Sequence, residues 1–242
     1  MTPQQQIQRV PALPSSSRLI GTLGVIAMLS GFLVVLVYEY TRPFILENRR
    51  EAIERAVFQV VPGATDHRDF VVNNEEIFPA DSGRNGTLLY AAYNTAGELE
   101  GIAAGAAAQG YADTIQLLFG YEPDCECITG FSVLQMAETP GLGDRILTDE
   151  GFLSNFNDPG LDARLEPNRK ELANPIVTVK HGTKEQPWEI DAVSGATVTS
   201  KAVGKALNNA AQELLPKLSP HLDELRRGEE SQRHEIAGDA NG

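Results

Sequence analysis

The longest hydrophobic stretch of the chain lies near its beginning. After a polar segment at 1–18, residues 19–38 form a run without a charged side chain, long enough to cross ~30 Å of hydrocarbon as a helix. A cleaved signal sequence has a shorter apolar core, about 7–15 residues, followed by small residues at the cleavage site. Here the run is followed by Glu39-Tyr40-Thr41-Arg42-Pro43. The pattern therefore predicts a flexible tail at 1–18 and an uncleaved transmembrane helix at 19–38.

The pattern becomes amphipathic after this run. Between 44 and 61, apolar residues recur among charged ones, and Pro62-Gly63 follows. This alternation predicts a helix that stops at the Pro-Gly pair, within a juxtamembrane segment at 39–63. Arginines flank the hydrophobic run on both sides, so positive charge does not decide which side of a membrane the remaining chain occupies.

Short strands and turns are predicted from residue 64 onward. Residues 64–86 are polar and include a clear loop at 81–86. The runs on either side of the turn Asn94–Gly97 have the composition of a β-hairpin. The predicted strands are 87–93, 98–103, 114–119, 128–136 and 175–179.

A helix is predicted from residue 197, where apolar residues recur at three- and four-residue spacing. Those residues are Val203, Ala206, Leu207, Ala210 and Leu214. Strands combined with terminal helices favour the α+β class, an antiparallel sheet with helices packed on it. We expect this domain to span 64–218, and the prolines, glycine and charges beyond it predict a disordered tail at 219–242.

The stretch 103–108 consists almost entirely of Ala and Gly. Such small side chains suit a strand that a wide ligand approaches closely, or one that lies tightly beneath a helix. The pattern alone leaves both interpretations open.

Composition limits the classes of partner. The chain has 242 residues, a length sufficient for one domain of about 150 residues with appendages. Its formal charge is −13. No basic stripe is present that would neutralise phosphates, which argues against nucleic-acid binding.

The most informative polar sequence is Asp191–Thr197, which reads Asp-Ala-Val-Ser-Gly-Ala-Thr and opens directly into the predicted helix. The first N–H groups of a helix lack partners and lie at the positive end of its dipole, so this turn suits a phosphate. An ordinary capped helix start would have the same composition.

The exact string resembles the flavin-attachment motif of the FMN-binding domain family. In that family the last threonine of the motif carries FMN through a phosphoester, installed by a flavin transferase that uses FAD. The matching residue is Thr197, whereas Thr199 falls outside the matched pattern. The resemblance implies that Thr197 is a tether and assigns no catalytic residue.

A second motif supports the resemblance. Glu138–Gly143 reads Glu-Thr-Pro-Gly-Leu-Gly, similar to the loop that the family places against the flavin, and Gly110-Tyr111 and 114–120 resemble its glycine–tyrosine turn and following strand. The cofactor-binding residues implied are Thr197, Asp191, Ser194, Gly195, Ala196 and Lys201 on the turn, and Glu138, Thr139, Pro140, Gly141, Leu142 and Gly143 on the loop. For Asp191 and Lys201, an ordinary charge pair at a helix start is the alternative.

The family resemblance also implies a cellular role. The family includes the G subunit of Rnf complexes, which couple electron transfer between ferredoxin and NAD to ion movement, and a related flavin-carrying component of Na+-translocating NADH:quinone reductase. The short connection between the hydrophobic run and the flavin motif favours the Rnf component. The implied partners are the other membrane and peripheral subunits of an Rnf-type complex and the flavin transferase, with the large domain on the periplasmic side of a bacterial inner membrane.

Two other functions stay open. The chain could be an anchored binding module without redox chemistry, in which the turn at 191–197 merely begins a helix. It could also be an anchored FMN-binding regulator or sensor.

Cys125 and Cys127 are the only cysteines of the chain, and they depart from the family pattern. Two thiols are too few for a closed zinc site. A disulfide between residues two apart needs a bent turn, since their spacing on a strand is near the upper limit for such a bond. A loop disulfide, two spare thiols, a redox pair, or half of a metal-cluster site completed by another subunit are the alternatives.

Overall fold

The computed structural model describes residues 15–73, 76–157 and 159–227. By its internal contacts the chain divides into two units, Met1–Arg50 and Glu51–Gly242. The predicted tail at 1–18 lies mostly outside the described residues, as does the predicted tail beyond 227.

The described part of the first unit is helical. Helix α1 spans Ser16–Val60, so it starts in the first unit and ends in the second. By length and composition it contains a segment that is able to cross a membrane. The helical segments predicted at 19–38 and within 39–63 form one uninterrupted helix, because Pro43 removes a single backbone donor from a long ladder of hydrogen bonds.

A seven-stranded antiparallel sheet forms the centre of the second unit, with the strand order β2-β1-β3-β4-β5-β6-β7. The predicted hairpin and the two strands after it are confirmed, and so is the α+β class. The strands are β1 (Asp66–Val72), β2 (Ile77–Pro79), β3 (Thr87–Tyr93), β4 (Leu99–Gln109), β5 (Thr114–Glu122), β6 (Cys127–Gln135) and β7 (Leu161–Asp162).

The sequence pattern missed β1 and β2. Most side chains of β1 are exposed or half-buried, and only Val71 and Val72 at its end are buried. A strand next to the edge of a sheet does not need apolar residues along its length, so its polar sequence gave no period-two signal.

The remaining elements follow the sheet in the chain. A short helix, α2 (Glu150–Leu153), lies between β6 and β7. Two further strands, β8 (Val177–Val179) and β9 (Glu189–Asp191), form a small parallel sheet of their own. They lead into the long helix α3 (Thr197–Leu218), which is followed by α4 (Leu222–Arg226).

The two faces of the sheet are covered by different helices. Along β3, Leu89 and Ala91 belong to the main core, while Tyr90 and Ala92 belong to a second cluster with Val57 and the other buried residues at the end of α1. This alternation is the period of two that a strand imposes.

The small residues of β4 lie beneath α3. Ala104, Ala106 and Ala108 are buried in the same cluster as Ala206 and Leu207 of that helix. Of the two interpretations of the Ala/Gly stretch, tight packing under a helix is therefore the one that the structure bears out.

The domain extends beyond the predicted boundary at residue 218. Leu225 of α4 is buried in the main core, and its carbonyl accepts a hydrogen bond of 3.0 Å from the Tyr93 hydroxyl. The prediction of disorder from residue 219 is therefore wrong for 219–227, because the buried Leu225 and the partly buried Leu222 hold this mostly polar segment onto the core.

Candidate functional site

The turn at 194–197 connects β9 to α3 and leaves the start of that helix uncapped. Ala196 occupies the N-cap position, and no side chain caps the helix. Gly195 has a φ of +85°, which favours glycine. Among the described residues, the N–H groups of Thr197 and Val198 have no hydrogen-bond acceptor, as expected of a helix without a capping side chain.

The hydroxyl groups of this region are of two kinds: some make hydrogen bonds that hold the fold, and those that make no hydrogen bond in the described chain are called uncommitted below. The buried Ser200 hydroxyl accepts from Val193 N at 3.1 Å and donates to Ala196 O at 2.9 Å, which fixes the turn from inside. Thr199 is 2% exposed and donates to Glu138 Oε2 at 2.9 Å. Thr197 is half-buried, and its hydroxyl makes no hydrogen bond within the part of the chain that the structure describes.

Glu138 joins the two sequence motifs. It is 8% exposed, and Oε1 accepts from the N–H groups of Tyr111 and Ala112 at 2.8 and 3.2 Å, while Oε2 accepts from Thr199. Both carboxylate oxygens are thus used to hold the loop after β4, the loop at 138–143 and the start of α3 together. A buried carboxylate requires such donors.

Two glycines make this junction possible. A methyl group on Gly143 would lie 2.7 Å from Glu138 Cβ and 3.0 Å from Thr199 Oγ1, and one on Gly110 would collide with Glu138 Oε1. These glycines therefore serve close packing around Glu138.

Apolar side chains around the junction are open to solvent. Leu142 is 55% exposed, Tyr111 is 74% exposed and Val198 is 54% exposed. Thr139, Pro140 and Gly141 are exposed as well, and Gly141 has a φ of +77°. Exposed apolar groups beside free backbone donors fit an aromatic ligand that carries a phosphate.

Arg145 is a residue of this site that the sequence interpretation missed. Its Nη1 donates to Ser194 O at 2.9 Å, and its Nη2 lies 3.5 Å from Asp149 Oδ2. A methyl group on Gly195 would lie 3.8 Å from Arg145 Nη1. The guanidinium therefore adds positive charge at the turn. The only sequence signal was its position two residues after the second motif.

The two charged residues predicted on the turn lie differently. The Asp191 carboxylate accepts from Gly182 N at 2.7 Å and lies 3.7 Å from His181 Nδ1, so it holds a neighbouring turn. Lys201 is exposed on α3. Neither hydrogen-bonds to residues 194–197 in the described chain.

A polar cluster supports β9 beside this turn. The buried Asn155 side chain accepts from Asp191 N at 2.9 Å and donates to Asp191 O at 3.2 Å. Lys184 Nζ donates to Asn155 Oδ1 at 3.0 Å. Burial lowers the pKa of Lys184, and the carboxylates of Asp191 and Glu189 oppose that shift. Hydrogen bonds from the N–H groups of Glu185 and Gln186 lower the pKa of Glu189.

The cysteines lie at a different place, the turn between β5 and β6. They form a disulfide with Cα atoms 5.2 Å apart, and Glu126 between them has a φ of +51°. This is the bent turn that a bond between such close residues requires.

Comparison with known sequences identifies the class and the family. The sequence model of the FMN-binding domain matches residues 110–212, which include both motifs, so the site belongs to an FMN-binding domain. The chain is 31% identical over 195 residues to the G subunit of the ion-translocating oxidoreductase complex from Methanosarcina acetivorans, covering 80% of this chain and 92% of that protein. It therefore belongs to the family of G subunits of ion-translocating oxidoreductase complexes.

A further relative agrees with this assignment, and a solved structure shows the same fold. The G subunit of the proton-translocating ferredoxin:NAD(+) oxidoreductase complex from Clostridium ljungdahlii is 29% identical over 192 residues, 79% of this chain and 88% of that protein. The crystal structure of Shewanella oneidensis NqrC has the same fold, with a TM-score of 0.56 at 19% identity over 74% of this chain and 98% of that one. The resemblance inferred from the two motifs is confirmed.

Proposed function

We propose that this chain is the FMN-carrying electron-transfer subunit of an Rnf-type complex that couples ferredoxin:NAD oxidoreduction to ion movement. The family and the names of the relatives support this role. The observation that carries the proposal is the uncommitted Thr197 hydroxyl at the uncapped start of α3, next to the exposed loop at 139–142.

Thr197 is proposed to hold FMN through a phosphoester. In the attachment reaction, Thr197 Oγ1 loses its proton and bonds to the flavin-side phosphorus of FAD, while the diphosphate bond breaks and AMP leaves. A flavin transferase would catalyse this step. Bound FMN would supply the redox chemistry, and the chain supplies its position and electrostatic environment.

Each part of the site has a role in this proposal. The Arg145 guanidinium and the N–H groups of Thr197 and Val198 would offset the phosphate charge. Leu142 and Tyr111 would contact the ring system. Glu138 would act indirectly, by holding the loop at 138–143 against the start of α3.

The localisation is part of the proposal. The apolar part of α1 would anchor the chain in the inner membrane of a bacterium, with the second unit on the periplasmic side. N-terminal sequencing of the membrane-extracted protein is expected to find the segment at 19–38 retained. A mature chain that begins near residues 39–45 would contradict the anchor.

Variants at two threonines test the attachment. When co-expressed with the transferase, the Thr197→Val protein should lose flavin fluorescence on a denaturing gel and should lack the added mass of the phosphoester. Thr197→Ser keeps a hydroxyl and should retain part of the flavin fluorescence. Thr199→Val should stay fluorescent, although the loss of its bond to Glu138 costs about 1–3 kcal/mol of stability. A fluorescent Thr197→Val band beside a dark Thr199→Val band would mean that the wrong threonine was assigned.

Association with other subunits separates the electron carrier from a regulator. We expect the flavin-loaded protein to copurify with membrane-embedded redox subunits after extraction in mild detergent. A loaded protein that is found without any redox partner would favour the sensor. A protein that never acquires flavin would favour the binding module.

A further inference from the structure

The turn between β5 and β6 is not used by the proposed flavin chemistry. It contains the Cys125–Cys127 disulfide. The other ends of β5 and β6 lead to Tyr111 and Glu138. Because each strand rises ~3.3 Å per residue, the turn lies about 25–30 Å along the sheet from the flavin site. A ligand bound at this turn would therefore not contact the flavin site.

Three potential metal ligands converge at this turn. A carboxylate oxygen of Glu122 and the sulfur atoms of Cys125 and Cys127 all lie within 4.8 Å of one another. Cys125 is exposed, Glu122 is half-buried and Cys127 is 3% exposed. A methyl group on Gly160 would lie 2.7 Å from Cys127 Sγ, so backbone covers that sulfur on one side. Access is from the side of Cys125 and Glu122.

The charges around the turn favour a cation. Two arginines near the turn are already in ion pairs: Arg226 with Asp124, and Arg164 with Asp162 at 2.7 Å. Asp162 lies opposite Cys127 in the pairing of β6 with β7.

The neighbouring carboxylates of Glu122 and Glu126 have no ion pair within 4 Å in the described parts of the chain. Their negative charge is therefore left to act on whatever enters the turn.

We propose that this turn is a metal site that is opened by reduction. A dithiol reductant would deliver two electrons and two protons to the disulfide and itself become a disulfide, leaving two thiols in the turn. A thiophilic divalent ion such as Zn2+ would then bind both thiolates and the Glu122 carboxylate, and the two thiol protons would be released. A water molecule would be the fourth ligand. In the oxidised form the sulfurs are bonded to each other and do not bind the ion.

Spectroscopic titration of the full-length protein in detergent tests this site. The disulfide is reduced with a phosphine: the phosphorus takes the oxygen atom of a water molecule and becomes the phosphine oxide, and the two protons of that water go to the two thiols. The reagent is then removed under anaerobic conditions. Co2+ is then added, and difference spectra cancel any flavin absorbance. We expect thiolate-to-cobalt charge-transfer absorption in the reduced protein only, abolished by Zn2+ competition and by Cys125→Ser. Its absence from the reduced wild-type protein would overturn the proposal.

Two matched variants test the carboxylate ligand. Glu122→Gln should weaken Co2+ binding by about tenfold or more, equivalent to about 1.4 kcal/mol. Glu126→Gln removes the same charge from the same turn but lies outside the ligand group, so it should weaken Co2+ binding much less than Glu122→Gln does, by no more than about threefold. Equal weakening in both variants would show that Glu122 acts only through its charge and would refute its role as a ligand. Circular dichroism verifies that both variants are folded.

Discussion

At the scale of single residues, the site depends on which polar groups are already engaged. Thr199 and Ser200 hold the fold, whereas the Thr197 hydroxyl and the first N–H groups of α3 are uncommitted. Arg145 adds a cation at the turn, since its guanidinium donates to the carbonyl of Ser194. The attachment chemistry should therefore be sensitive to Arg145 and insensitive to exposed lysines nearby.

Arg145→Gln is predicted to slow covalent flavin incorporation by about tenfold, since a charge-assisted hydrogen bond contributes about 1.5–3 kcal/mol. Lys205→Gln is the control, because it removes a positive charge from an exposed position of α3 outside both motifs and should change the rate by less than about twofold. Gel fluorescence at early times measures both rates, and thermal unfolding of the flavin-free variants separates binding from loss of structure. Similar rates for the two variants would argue against a specific role for Arg145.

The contiguous parts of the site could be predicted from sequence, and the long-range parts could not. The turn at 194–197 and the loop at 138–143 are strings of neighbouring residues with a recognisable order. The bonds of Thr199 to Glu138 and of Arg145 to Ser194 join positions 61 and 49 residues apart, and no local pattern encodes such pairs. Local sequence also does not show that both carboxylate oxygens of Glu138 accept hydrogen bonds from the protein, and the binding of the cofactor by this residue stays a prediction.

At the scale of secondary structure, the end of α1 lies very close to the sheet. The Thr129 hydroxyl donates to Val60 O at 2.6 Å, and a methyl group on Gly120 would collide with the same carbonyl. The amphipathic pattern predicted this helix and its end before Pro62, but not the face of the sheet that it covers. That face is set by glycines, which carry no periodic hydrophobic signal.

Gly120→Ala should lower the free energy of unfolding by at least about 1–3 kcal/mol, since the new methyl group has to displace the end of α1. Gly130→Ala is the matched control on the adjacent strand, because its methyl group would lie 3.9 Å from Val60 Cα, an ordinary contact distance. Chemical denaturation of both variants measures the difference. Equal stabilities would show that α1 is not held at this point.

Leu225 is the most buried contact between helix α4 and the domain, and Leu222 packs partly buried against the same core. Leu225→Ala is predicted to destabilise the domain by about 2–5 kcal/mol, as for other buried leucines. Tyr93→Phe keeps the ring in the core and removes only the hydrogen bond to Leu225 O, so it should cost about 1 kcal/mol. Thermal unfolding compares the two variants, and a negligible effect of Leu225→Ala would place the domain boundary back at residue 218.

At the scale of the whole molecule, the second unit has its own core and includes the last part of α1. Ala56, Val57, Val60 and Val61 are buried against Tyr90, Ala103 and Leu118 of that unit. We predict that a chain starting at Glu51 is soluble and unfolds cooperatively. A chain starting at Pro62 exposes the surface beneath three buried valines and should lose roughly 5–9 kcal/mol, at about 1.5–3 kcal/mol per valine. Calorimetry of both chains tests this, and equal melting temperatures would contradict it.

The inward-facing hydroxyl of Ser200 has a consequence for the order of events in biogenesis. The turn is closed by a group that the proposed flavin linkage would not use. We therefore expect the unmodified polypeptide to reach its final shape first, so that a maturation enzyme would meet a finished surface instead of a disordered peptide. A cell that lacks this enzyme would accumulate a well-folded but colourless protein, which protein quality control has no structural reason to remove.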